Sequence, residues 1–116
     1  MKILFITHLS QKTTSINDTI HDSVLHGLRE IYGNNVIDYP GAWYMYEEEV
    51  KKKNFDIKTL WGSGFTYYNL LSNYDQIDRT DIKNKILNSY FDIIIFGSIR
   101  RSIKFFEEAT NSKSKI

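Results

Sequence analysis

The sequence predicts a small α/β domain of three-layer, Rossmann-like form, with a short parallel sheet in the strand order 2-1-3 and an irregular, aromatic-rich crossover. Three observations point there. Residues 2–7 and the run Phe91-Asp92-Ile93-Ile94-Ile95-Phe96 are apolar with little alternation, the pattern of strands covered on both faces. A strongly amphipathic stretch separates the first run from a shorter one at Val36-Ile37-Asp38. Glycine and proline punctuation falls where the period changes.

Residues 2–7 are therefore the first strand. From Ser15 the pattern becomes helical: Ser15 and Asp18 have the spacing of a capping box, and Ile16, Ile20, Val24, Leu25, Leu28 and Ile31 share one half of the helical wheel. Asp18, Thr19, Asp22, Ser23, His26, Arg29 and Glu30 fill the other half, so the aliphatic side is expected on the sheet. Gly33-Asn34 stops the helix, and Tyr39-Pro40-Gly41 closes the second strand. The connection over residues 39–79 has no single period, although Glu47 to Glu49 precede Lys51 to Lys53 by four residues and support a short exposed helix. Thr80 or Asp78 is placed to cap a helix with apolar positions Ile82, Ile86, Leu87 and Tyr90. Gly97 ends the third strand, and Ile99, Ile103, Phe106 and Ala109 mark a last helix before the polar stretch Thr110 to Lys115. Right-handed crossovers put strand 1 between strands 2 and 3.

Length fits one domain over residues 1–116, either whole or the N-terminal part of a longer two-domain protein. Because three strands make a small sheet, a C-terminal domain or a homo-oligomeric neighbour is expected to complete it. Fifteen basic residues against fourteen acidic ones leave a net charge of +1, which provides no broad field for nucleic acid or an anionic membrane. The absence of cysteine excludes disulfides, zinc-thiolate sites and a thiol nucleophile, and suits a reducing cytoplasm. The apolar run at the N-terminus is too short for a signal-peptide core or a transmembrane segment. No metal-ligand cluster, G-x-G-x-x-G or Walker loop stands at a strand-to-helix turn, so no cofactor is expected.

Ligands in open parallel sheets bind beyond the carboxyl ends of the strands. That rule selects Thr7 and His8 after strand 1, Asp38, Tyr39 and Pro40 after strand 2, and Gly97, Ser98, Arg100 and Arg101 after strand 3. His8 is the candidate catalytic residue, as a general base or as a hydrogen-bond partner for a ligand hydroxyl. Gly97-Ser98 leading into a helix with two arginines suits a phosphate or carboxylate; equally, Ser98 is a plain helix cap and the arginines are solvated. His21 and His26 lie about 140° apart on a helix of 3.6-residue period and do not chelate one ion; His21 flanks the apolar stripe and reads as packed. Trp43, Trp61, Tyr39, Tyr44, Tyr46, Tyr67, Tyr68 and Tyr74 crowd the crossover. They offer faces for stacking on sugars, a partner interface, or a satellite core beneath a long loop. Trp61-Gly62-Ser63-Gly64-Phe65 follows no clear strand and reads as a turn.

Five blocks together resemble a family: His26-Gly27-Leu28-Arg29-Glu30, Val36-Ile37-Asp38-Tyr39-Pro40, Gly64-Phe65-Thr66-Tyr67, Asp78-Arg79-Thr80-Asp81-Ile82, and Phe91 through Ile99. They look like the N-terminal region of bacterial glycosyltransferase-like proteins of the GT-B type, across nearly the whole chain. The resemblance implies a Rossmann-like domain that faces the acceptor while a second domain holds most of the nucleotide-sugar donor, so this chain alone is expected to transfer sugar poorly or not at all. It assigns no catalytic residue. The rival reading is a non-enzymatic, flavodoxin-like module taking a small phosphorylated or acidic ligand at Ser98, Arg100 and Arg101.

Overall fold

The computed structural model describes residues 1–7, 19–56, 58 and 67–116. Three parallel strands, β1 (Ile3–Ile6), β2 (Val36–Tyr39) and β3 (Ile93–Phe96), form a sheet in the order β2-β1-β3. β1 is central because all four of its side chains are apolar and buried, which only a strand flanked on both edges and covered on both faces provides. The register sets Phe5 between Asp38 and Ile95, and Ile6 between Tyr39 and Phe96.

Side chains that neighbour each other across a sheet share a face, and successive ones alternate. The Phe5 ring meets His21 of helix α1 (Thr19–Tyr32), whereas the Tyr39 ring meets Phe105 and the Phe96 ring meets Phe106, the first residue of helix α4 (Phe106–Thr110). Helices therefore cover opposite faces, and the domain has three layers. Helix α2 (Glu47–Lys53) lies in the crossover, where the spacing of its glutamates and lysines places it; its resolved ion pair is Lys52 to Glu49, three residues apart at 3.2 Å. Helix α3 (Ile82–Leu87) buries Ile82 and Ile86, as its pattern predicts, while Leu87 and Tyr90 stay exposed. Its N-cap is Asp81; Asp78 instead closes the preceding turn on the Thr80 amide.

Two expectations are corrected. Helix α1 is turned about one residue, or about 100°, from the wheel that its aliphatic residues predict. His21, Asp22, Leu25 and Arg29 are the buried residues, whereas Ile20 is 77% and Ile31 73% exposed. The physical reason is that each buried polar group has a dedicated partner. Asp22 accepts from His21 and Tyr44, and the Arg29 guanidinium donates to the carbonyls of Gly33 and Ser72. The capping pair Ser15 and Asp18, and Ile16 of the apolar face, lie outside the described residues. The last helix begins at Phe106 rather than near Ile99; residues 98–102 form a turn, with the amides of Arg101 and Ser102 both donating to the Ser98 carbonyl.

The crossover aromatics divide. Tyr44 and Tyr46 are fully buried in the main core, and the crossover is pinned by a bridge of Tyr46 to Leu71. Trp43, Phe55 and Tyr68 form a partly exposed ring cluster beside it. Trp61, Gly62, Ser63, Gly64 and Phe65 lie outside the described residues.

Candidate functional site

At the carboxyl edge the chain leaves each strand differently. Thr7 follows β1 fully buried, its amide bonded to the Tyr39 carbonyl at 2.8 Å and its hydroxyl without a hydrogen-bond partner among the described residues. Gly97 follows β3 with its amide 2.8 Å from the Ile6 carbonyl. His8 lies outside the described residues.

Asp38, at the end of β2, is fully buried and engaged on both oxygens. Oδ1 accepts from Arg79 Nη2 at 2.6 Å and from the Tyr46 hydroxyl at 3.0 Å; Oδ2 accepts from the Ala42 amide at 2.8 Å. Arg79 also donates through Nε to the Asp38 carbonyl and through Nη1 to the Tyr74 carbonyl, with its guanidinium stacked 3.8 Å from the Tyr74 ring centre. This constellation folds the crossover back over the β2 end, across the cis Tyr39–Pro40 bond. Burial, then the Asp38 charge, pushes the Tyr46 hydroxyl far above its ordinary value, and burial raises that of Tyr74. Both phenols are therefore held neutral.

Tyr39 points to the opposite face, against Phe105. Ser98 is half-buried, and Arg100 and Arg101 are exposed on the turn that replaces the expected helix start. The structure thus brings Thr7, Asp38 and Gly97 to one edge, sends Tyr39 to the α4 side, and leaves Arg100 and Arg101 at the rim.

Sequence reasoning missed the most developed cluster at this edge. The first turns of α1 set His21 and Asp22 side by side, both side chains fully buried, with His21 Nδ1 2.8 Å from Asp22 Oδ1. The Tyr44 hydroxyl donates to the same carboxylate oxygen. An ionised carboxylate only accepts, so a neutral His21 carries its proton on Nδ1 and its basic lone pair on Nε2. The imidazole packs edge-on to Phe5, ring centres 5.0 Å apart. It also lies directly over Gly97, where an added Cβ would stand 2.4 Å from His21 Cδ2 and 3.1 Å from Nε2. Gly97 is therefore needed less for its turn than for the space it leaves. The available signal was positional: α1 starts where β1 ends, so polar residues in its first turns belong to the carboxyl edge.

Chemically, a carboxylate and a phenol hold one tautomer of an imidazole in a fixed, buried orientation over Gly97, at the switch point of a parallel sheet. Among the described residues, no group of three His, Asp or Glu is placed to hold a metal ion, and no helix is long and apolar enough to cross a membrane. No family model, curated protein or solved structure matches the chain.

Proposed function

We propose that this chain is the acceptor-side domain of a two-domain, glycosyltransferase-like protein, and that the hydroxyl-bearing acceptor meets the sheet at the carboxyl edge near Gly97 and Thr7. The observation that carries the reading is the Tyr44–Asp22–His21 chain at that edge: an acceptor hydroxyl must lose its proton as it attacks, and an imidazole oriented by a carboxylate is a type of group that takes such a proton. The tyrosine-rich crossover supports the same reading, since flat rings with polar tips suit sugar faces. The resemblance of the five sequence blocks supports it independently.

A panel of free mono- and disaccharides and a panel of nucleotide sugars test this by equilibrium binding to the chain. The expected result is binding of at least one free saccharide, weakened by Asp22→Asn, with no preference for the nucleotide-linked form and no hydrolysis of it. Binding of nucleotides alone, or of no member of either panel, overturns the reading.

A second reading rests on Arg100, which is exposed and, among the described residues, has no carboxylate within ion-pairing distance. Here the chain is a non-enzymatic module for a small phosphorylated or acidic ligand at Ser98, Arg100 and Arg101. Inorganic phosphate would then raise the melting temperature, and changing both arginines to alanine would abolish the rise. Equal stabilisation of both proteins would remove this reading.

A further inference from the structure

A pocket of about 200 Å³ lies at the C-terminal end of α1, the end away from His21, where the helix meets the returning crossover. Arg29, Gly33 and Asn34 wall it on the helix side, and Leu70, Ser72 and Asn73 on the other. The Arg29 guanidinium belongs to this wall because all of its acceptors do. Nη1 donates to the Gly33 carbonyl at 2.6 Å and to Asn34 Oδ1 at 3.3 Å, and Nη2 to the Ser72 carbonyl at 3.4 Å. Arg29 is only 8% exposed, yet each of these acceptors is neutral. The neighbouring carboxylates are directed elsewhere: Glu30, on the rim, turns to His26 at 3.9 Å with its side chain 66% exposed, and Glu48 accepts from the Asn73 amide at 2.7 Å. Among the described residues, no carboxylate lies within ion-pairing distance of Arg29. A buried charge is ordinarily paired, and this one lacks its counter-charge.

The deficit falls on one edge of the guanidinium. Nε is buried without a hydrogen-bond partner among the described residues, and the Nη2 bond to Ser72 is long for an N–H donor. Nε and Nη2 together form the fork that takes a carboxylate through two parallel hydrogen bonds. The face of Tyr46, 6.0 Å away, stands at the limit of cation–π range and does not replace an anion. Nη1, by contrast, is committed to the carbonyl at the end of the helix.

We infer that this pocket binds a small monocarboxylate, taken by the Nε–Nη2 edge of Arg29 in place of the long Ser72 contact. Size limits the ligand, since the volume falls below the range of about 300–1,000 Å³ that holds drug-sized molecules. Charge limits it as well. One buried cation faces one rim carboxylate, Glu30, so a single negative charge is matched and a second is repelled. Leu70, 58% exposed on the opposite wall, offers an apolar surface for a short aliphatic chain.

Titration of the isotopically labelled 116-residue chain with sodium propionate, at constant ionic strength, tests this on the Arg29 Nε–Hε resonance. The expected result is a saturable shift there and at the Gly33, Ser72 and Asn73 amides, with His21 and Gly97 unmoved. Sodium chloride should move none of them, and succinate and inorganic phosphate should bind about tenfold or more weakly, because Glu30 opposes the added charge. Asn34 is exposed, so the fold tolerates change there. Asn34→Asp sets a carboxylate of the chain's own beside Nη1 and should weaken propionate by about tenfold or more, whereas Asn34→Ala should bind it nearly as the native chain does. No saturable shift at Arg29, an equal response to chloride, phosphate or succinate bound as tightly as propionate, shifts centred on His21 and Gly97, or equal affinity of the two Asn34 variants each overturns the inference.

Discussion

Asp38→Ala is the most informative single change to the fold. Its carboxylate is fully buried, and deleting it orphans three donors at once: Arg79 Nη2 at 2.6 Å, the Tyr46 hydroxyl at 3.0 Å and the Ala42 amide at 2.8 Å. Arg79 keeps two carbonyl acceptors and the face of Tyr74, but it loses its counter-charge, and its side chain is only 12% exposed. Breaking a buried ion pair from one side costs about 3–5 kcal/mol. Each orphaned neutral donor would add about 1 kcal/mol or more if water did not enter the gap, so the expected loss lies near the top of the ion-pair range. Against a typical total of about 5–15 kcal/mol, that is a large share. Urea unfolding followed by far-UV circular dichroism and tyrosine fluorescence measures it. Arg79→Met alone should cost less, because Asp38 retains two donors, and the double variant should fall short of the sum by about 2 kcal/mol. A loss under about 1 kcal/mol for Asp38→Ala, or additivity within about 0.5 kcal/mol, would refute the placement of this carboxylate as the hub that ties the crossover to β2.

Gly97→Ala should cost about 1–3 kcal/mol by overpacking, since His21, held by Asp22 and Phe5, cannot swing aside; His21→Ala in the same chain should recover part of the loss, and no cost would mean that the imidazole does not lie over Gly97. Tyr44→Phe removes a hydrogen bond to a carboxylate and should cost about 1.5–3 kcal/mol, whereas Tyr90→Phe, on a half-exposed ring, should be silent in the same melts. Because burial raises the phenols of Tyr46 and Tyr74 above the unfolded value of about 10, their stabilisation is fully present below that pH and is lost as pH rises past it. Tyr46→Phe should therefore flatten the alkaline limb of stability against pH while lowering the plateau; an unchanged alkaline slope contradicts the burial. The Asn73 amide, foremost, holds Glu48 below the ordinary carboxylate range, so its contribution is present above that range and lost as pH falls, and Glu48→Gln should soften the acid limb.

Sheet order, the buried strands and the short charged helix were legible because each rests on a local pattern: unbroken aliphatic runs, punctuation at Gly33 and Gly97, and the Glu47–Lys53 charge block. The face of α1 was not. A wheel weighs residues by hydropathy, and it cannot see that Asp22 would find Tyr44 twenty-two positions away or that Arg29 would find the Ser72 carbonyl forty-three away. Such partners invert burial only after tertiary structure forms, which is also why the His21–Asp22–Tyr44 cluster escaped a search for site residues in strand-following loops. The late start of α4 has a local reason. The Ser98 carbonyl takes two amides in one tight turn, and Phe105 adopts a left-handed conformation at φ 64° before the helix begins. The rim arginines thus lie beside a turn, without the helix end that an anion site would draw on.

Amide and imidazole chemical shifts of the isotopically labelled chain, followed as a bound saccharide is titrated, locate the edge of the sheet at which a ligand meets the chain. The shifts should cluster on Thr7, His21, Gly97 and Ser98 at the carboxyl edge, and the His21 nitrogens should report a proton on Nδ1. Shifts clustering instead at the amino edge, around the cavity lined by Met1, Ser89, Asp92, Lys113 and Lys115, would contradict this placement.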